Sequence, residues 1–232
     1  MELEFIKDMF DGIARRYDLL NRILSLGQDV YWRRWMVSSL SLNENALILD
    51  VACGTGDVIV EILRQQSRIK RVIGVDFSFR MLQCTQAKLK ALNNPSNVAL
   101  VLANGLHLPF PPDLFDAVTI AFGIRNITDR KKALTIFLDR LKPGGTLAVL
   151  ELATPERRLF QSIYLLYFKK MVPKIGAFFS KHLNAYTYLP ASVIHFPKAC
   201  QFAALMRESG FTGVTWRPLT SGIAVLFIGY KP

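Results

Sequence analysis

The sequence predicts an α/β fold: a doubly wound, mostly parallel seven-stranded sheet with an antiparallel last strand, N-terminal helices and a helical cap insertion. Three observations predict it. From Ala46 onward, short apolar runs rich in β-formers alternate with helical patterns, the signature of a parallel sheet. The first run, Ala46 to Asp50, turns through Gly54-Thr55-Gly56 into an amphipathic stretch from Val58 to Leu63. The chain closes on two strand-like runs, Val214 to Trp216 and Ile223 to Ile228, joined by the turn-forming Pro218-Leu219-Thr220-Ser221-Gly222.

The elements follow in order. Glu4 to Leu24 reads as one helix, because Phe5, Met9, Ile13 and Tyr17 repeat every fourth residue on one face. Leu26-Gly27-Gln28-Asp29 breaks it, and Asp29 is the expected N-cap of a second helix carrying Tyr31, Trp32, Trp35, Met36 and Leu40. These aromatics either pack on the domain or line a substrate entrance. The strands after the first are Val72 to Val75, ending in Asp76; Val98 to Leu102, ending in Ala103-Asn104-Gly105; and Phe115 to Phe122. A helix from Asp129 to about Leu141 leads through a Lys142-Pro143-Gly144-Gly145 turn into a fifth strand, Thr146 to Leu150. Pro197 to Ser209 is a further helix, capped by Gly210. One domain of 232 residues is expected, with helices over 1–45, a cofactor-binding core over 46–154, a cap insertion over 155–196 and the closing helix and hairpin over 197–232.

Composition bounds the setting. No run approaches the ~18 apolar residues of a membrane span, and MELEFIKDMF shows no basic region followed by an apolar segment, so no signal peptide is read. Three widely spaced cysteines argue against a disulfide framework or zinc site and for a reducing cytosol. Charge is uneven: residues 1–156 hold 19 basic and 17 acidic side chains, residues 157–232 hold 10 and 1. From Arg157 to Arg207 there is no acid, while Phe160, Tyr164, Tyr167, Phe168, Phe178, Phe179, Tyr186 and Tyr188 are interleaved with Lys169, Lys170, Lys174 and Lys181. That composition suits an anionic lipid surface or, alternatively, nucleic acid.

The glycine turn is an expected ligand site, since glycines let the backbone approach a ligand and free helix N–H groups point at it. The third glycine of the dinucleotide fingerprint is missing. The pattern acid-x-x-x-Gly-x-Gly, with Asp50 at the strand end, resembles the first motif of S-adenosylmethionine (SAM)-dependent methyltransferases. Asp76 suits a ribose diol, and Asn104 an adenine edge.

Phe10 to Asp18 (FDGIARRYD), Gly54-Thr55-Gly56-Asp57, Phe122 to Asn126 (FGIRN), Leu141 to Gly145 (LKPGG) and the segment from Phe211 to Lys231 resemble the UbiE/Coq5 quinone-biosynthesis C-methyltransferases, nearly end to end. The resemblance implies a class I SAM-dependent methyltransferase that methylates a ring carbon of a polyprenylated quinol, either demethylmenaquinol or the benzoquinol of ubiquinone synthesis. It implies cofactor contacts at Thr55, Asp76, Asn104 and Gly105; Asp50, Gly54 and Gly56 of the first motif and Ala121 at the fourth strand end are expected to join them, and no metal is expected. Arg125 is the expected stabiliser of the quinol oxyanion. The base stays open among His182, His195, Tyr188 and a water beside Arg125. A cytoplasmic enzyme peripheral at the inner membrane face is expected, without nucleic acid, and a homodimer is compatible. Two rival classes are a nucleic-acid methyltransferase, disfavoured because neither Asn-Pro-Pro-aromatic nor Pro-Cys motifs occur, and a SAM-binding protein without catalysis.

Overall fold

The computed structural model describes residues 2–66, 69–93, 95–155 and 183–232. Elements are numbered along these residues. Three helices, α1 (Glu2–Ile13), α2 (Tyr17–Leu24) and α3 (Gln28–Ser38), precede the sheet. The alternating core is β1 (Leu47–Val51), α4 (Asp57–Gln65), β2 (Arg71–Asp76), α5 (Phe79–Ala91), β3 (Val98–Leu102), β4 (Phe115–Ala121), α6 (Arg130–Arg140) and β5 (Leu141–Leu152). After it come α7 (Leu183–Ile194), α8 (Ala199–Glu208), β6 (Thr212–Leu219) and β7 (Ala224–Tyr230).

The strands form one seven-stranded sheet in the order β3-β2-β1-β4-β5-β7-β6. Pairs among β1 to β5 are parallel, whereas β7 runs antiparallel to both β5 and β6. This is the fold class the sequence predicts. Successive residues of β1 face opposite layers. Ile48 packs with Trp32, Met36, Ile59 and Ile62 on one side; Leu49 packs with Phe137, Phe202 and Phe227 on the other. Each fully buried phenylalanine adds about 1.5–3 kcal/mol through the water it sheds. Strand order reverses at β1, so the carboxyl ends of β1 and β4 open a crevice where α/β sheets bind ligands.

Several expectations are corrected. The single helix over Glu4–Leu24 is broken by a 3-10 turn at Ala14–Arg16, with Ile13 (ψ −3°) and Arg16 (ψ −2°) flattened out of helical geometry. Asp29 does not cap α3: the N-cap is Gly27 (φ 76°), and Asp29 is buried in the first turn, where it accepts from Arg33 at 2.6 Å and also pairs with Arg22. Charge pairing outcompetes capping here. The Lys142–Gly145 turn is an excursion inside β5, where Phe115 pairs with Leu141 and Ala117 already with Thr146. Gly144 (φ 75°) supplies the left-handed residue that this requires. Strand β6 is longer than Val214–Trp216 and contains Pro218, tolerated because β6 is the sheet edge. Of the cap expected over 155–196, α7 is described. The aromatic and lysine residues named between 157 and 181, and His182, lie outside the described residues.

Candidate functional site

Each strand of the crevice ends in a loop whose backbone is forced by close packing. Gly54 (φ 55°) and Gly56 (φ 82°) follow β1, and a Cβ on Gly56 would come within 2.5 Å of Thr85 Cγ2. Ala52 (φ 52°) and Phe122 (φ 58°) are non-glycine residues held in the same left-handed region, which is costly away from glycine. Both line the pocket at the crevice. Around them stand Val51 and Gly54 from the β1 end, Asp76 and Phe77 from β2, Ala103, Asn104 and Gly105 from β3, and Ala121, Gly123, Asn126 and Ile127 beyond β4. Ile6, Phe10 and Tyr17, from the N-terminal segment, contribute the opposite wall.

The expected cofactor residues divide into two groups. Gly54, Asp76, Asn104, Gly105 and Ala121 line the pocket. Asp76 accepts the Gly54 N–H at 2.8 Å and the Ser78 N–H at 2.8 Å, clasping the second strand tip to the glycine loop. Burial pushes its carboxyl up to about 6, against the pull of those N–H groups. Asn104 accepts the Leu106 N–H at 2.9 Å through Oδ1, fixing the turn after β3. Asp50, Thr55 and Gly56 support the loop from beneath and do not line the pocket. Asp50 Oδ1 accepts from the Thr119 hydroxyl at 2.7 Å, while Oδ2 is buried without a partner. Burial pushes the Asp50 carboxyl up to about 7, opposed by Thr119 and Arg33. Thr55 donates its hydroxyl to Asp18 at 2.5 Å.

These residues fit SAM. The left-handed glycine loop suits close backbone approach, and Asp50, buried behind Val51 and Ala52 of the pocket wall, adds an acidic group beneath it. Gly105 suits a flat base, since a Cβ there would already meet Val51 Cγ1 at 3.1 Å. Gly54 and Asp76 would hold the ribose end, and Asn104 and Gly105 the base.

Arg125 follows β4 and is buried. Its Nη1 donates to Glu151 at 2.7 Å and to the Phe122 carbonyl at 2.5 Å, and Glu151 also accepts the Arg125 N–H at 3.0 Å. Burial disfavours its charge, but Glu151, with smaller help from Tyr17 and Tyr188, holds its pKa above the ordinary value. Its Nε is buried without a partner among the described residues. Beside it, Tyr188 donates to Asn126 Oδ1 at 3.0 Å, which places this candidate base near the pocket wall. His195 is exposed at the end of α7, with Nδ1 at 2.7 Å from the Ala191 carbonyl, and is not part of this constellation. Sequence reasoning missed Tyr17, Asn126 and Glu151 as site residues. The first two lie in the quoted FDGIARRYD and FGIRN motifs, which were their available signal.

The comparisons agree with this geometry. A model described as the ubiE/COQ5 methyltransferase family matches residues 1–231. A "Ubiquinone/menaquinone biosynthesis C-methyltransferase UbiE" of Geobacter sulfurreducens is 46% identical over 228 residues, covering 98% of this chain and 89% of that protein. A "Demethylmenaquinone methyltransferase" of Deinococcus radiodurans is 41% identical, covering 97% and 92%. Among solved structures, a SAM-dependent methyltransferase of Thermotoga maritima shares the fold at TM-score 0.69 and 18% identity, over 97% of this chain and 99% of that one. The [4+2]-cyclase SpnF does so at TM-score 0.71 and 15% identity, over 98% and 95%. A methyltransferase and a cyclase on one fold show that the fold alone does not set the chemistry.

Proposed function

The chain belongs to the ubiE/COQ5 methyltransferase family, and from that membership we propose that it transfers a methyl group from SAM to a ring carbon of a polyprenylated quinol. The relation to named quinone-biosynthesis methyltransferases over nearly the whole chain carries this reading. The preferred ring is a naphthoquinol, demethylmenaquinol giving menaquinol, because several relatives are named for that step alone. The benzoquinol of ubiquinone synthesis is the second reading, favoured by the relatives named for both.

SAM supplies an electrophilic methyl on a sulfonium. The ring carbon becomes nucleophilic when the adjacent hydroxyl loses its proton, so the protein must favour the oxyanion, exclude water and align carbon with methyl. A carbon–carbon bond then forms, the methyl–sulfur bond breaks, and the ring proton leaves. Arg125 is proposed to favour the oxyanion. It is held charged by Glu151, so its remaining donors are oriented in advance. Ile6, Phe10 and Tyr17 shield the pocket from water.

The substrate's isoprenoid tail argues for work at a membrane surface. No helix among the described residues is long and apolar enough to cross a membrane. From the basic composition of the acid-free 157–207 segment we propose a cytoplasmic, peripheral protein in which that segment meets anionic head groups. Mass spectrometry of quinones from cells lacking the protein tests the assignment. The demethylated quinone should accumulate and disappear on complementation; an unchanged quinone profile would overturn it.

A further inference from the structure

Two carboxylates that the chemistry above does not use tie the roof of the pocket to its floor. Asp18, in the first turn of α2, accepts the Thr55 hydroxyl at 2.5 Å and Lys88 Nζ at 2.7 Å. Asp11, near the end of α1, accepts the Ser78 hydroxyl. Thr55 stands between the two glycines of the cofactor loop. Ser78 is the N-cap of α5, and its N–H is held by Asp76. Since Asp76 also holds the Gly54 N–H, both ties end on one connected structure running through Thr55, Gly54, Asp76 and Ser78. Beside the ties, the same helices present Ile6, Phe10 and Tyr17 to the pocket.

The burial of these contacts differs from that of the neighbouring ion pairs. The Lys88 and Asp18 side chains are 28% and 36% exposed, whereas the Arg33 and Asp57 side chains that tie α3 to α4 are 7% and 15% exposed. Helix α3 is further anchored by buried Trp32, Met36 and Val37, while the roof buries Ile6, Met9, Ala14 and Leu20, of which Met9 and Leu20 pack with Val193 of α7. The junction between α2 and α3 is Leu26 (φ 52°), 84% exposed, and Gly27 (φ 76°), around which a side chain would meet nothing within 4 Å. Partly exposed acids on buried Thr55 and Ser78, with a firm anchor at α3, describe a roof edge held on the cofactor loop and α5 by these two side chains. Arg22, later in α2, pairs with Asp29 and Asp57 and so fastens the end of α2 to α3 and α4, leaving residues 4–20 as the roof.

We propose that Asp11 and Asp18 are positioning residues, which latch the N-terminal roof onto the SAM loops and so couple roof closure to cofactor retention. A ligand in the pocket touches Ile6, Phe10 and Tyr17 on one side and the strand ends on the other, so it stabilises the closed roof. The latches supply the protein's own share of that closure. The inference rests on the pocket being the cofactor site and is independent of which quinol ring is methylated.

The test compares wild type with Asp11→Ala/Asp18→Ala by hydrogen exchange in the cofactor-free protein and by S-adenosylhomocysteine dissociation. Amides of residues 4–20 should exchange about tenfold faster, the scale of a lost hydrogen bond to a charged group, while amides of β1 and β4 keep their protection. S-adenosylhomocysteine should dissociate about tenfold faster with association no slower, and KM for SAM should rise more than kcat falls. Asp18→Asn, which keeps an acceptor for Thr55, should recover part of the loss. Asp11→Ala alone, which leaves the Lys88 pairs intact, keeps the comparison readable if the double variant is unstable. Unchanged roof exchange would overturn the latch, and so would equal acceleration in roof and sheet, which would mark the acids as ordinary stabilisers. Faster roof exchange with unchanged dissociation would overturn the coupling to the cofactor.

Discussion

Asp50 combines full burial with a carboxylate oxygen that has no donor, and its proton follows from that. Its pKa in the fold is about 7 against an ordinary 3.8, so between those values the unfolded chain has released a proton that the folded protein keeps. The free protein therefore loses stability as pH rises through that window, and Asp76, raised to about 6, adds in the same direction. A cation bound in the adjoining pocket, across Val51 and Ala52, would lower that pKa and expel the proton. Calorimetry in two buffers of different ionisation enthalpy near pH 6.5 should show proton release on SAM binding. Asp50→Asn should abolish most of it, weaken binding, and stabilise the free protein at pH 7 by an amount on the order of a few kcal/mol. Proton release unchanged in the variant would remove Asp50 from cofactor recognition. Arg125→Lys makes a different prediction: it keeps the charge and loses the planar fork. Turnover should fall ~10²-fold or more with SAM affinity nearly intact; full activity would remove the oxyanion role. At this scale the strand-tip residues Asp76, Asn104, Gly105 and Ala121 were legible, because a strand's end is readable from its own apolar run. Glu151 was not. Its partner Arg125 is 26 residues away, and no local pattern encodes a contact made only when β4 and β5 pair.

Elements are held apart by what their smallest residues permit. On β2, a Cβ at Gly74 would lie 2.6 Å from Ile59 Cδ1 on α4 and 3.0 Å from Cys53 Sγ. The glycine lets α4 and the cofactor loop settle onto the sheet, and Cys53 fills the space as the packing residue its loop position suggests. Gly74→Ala should cost about 1–3 kcal/mol by overpacking and lower Tm; an unchanged Tm would show that α4 yields freely. The order and type of the core elements could be read from periodicity. What periodicity missed was set by distant partners. Asp29 looked like a cap because it follows a glycine break, but Arg22 and Arg33 recruit it into a buried pair. The break at Ala14–Arg16 lies inside an unbroken apolar repeat, and its reason is tertiary: it directs Tyr17 to the pocket and Asp18 to Thr55.

Across the whole molecule, the formal charge of +11 concentrates after residue 156 and outside the core that binds cofactor. On the proposed peripheral reading, such a field would draw the protein to anionic lipid at low ionic strength and release it as salt screens the attraction. Liposomes containing anionic lipid should bind the protein at low salt and lose it at high salt, and Lys169, Lys170, Lys174 and Lys181 changed together to Gln should weaken binding without altering SAM affinity. Equal sedimentation with neutral and anionic liposomes would separate the basic segment from the membrane. The central claim is methyl transfer to a quinol carbon, and the fold by itself leaves that undecided, since it also hosts a cyclase. The direct measurement is mass spectrometry of purified protein incubated with methyl-deuterated SAM and demethylmenaquinol in detergent. The account predicts one deuterated methyl per quinol, on the ring carbon beside a hydroxyl, lost when Arg125 is replaced. A quinol returned unmodified, or labelled on oxygen, would contradict it.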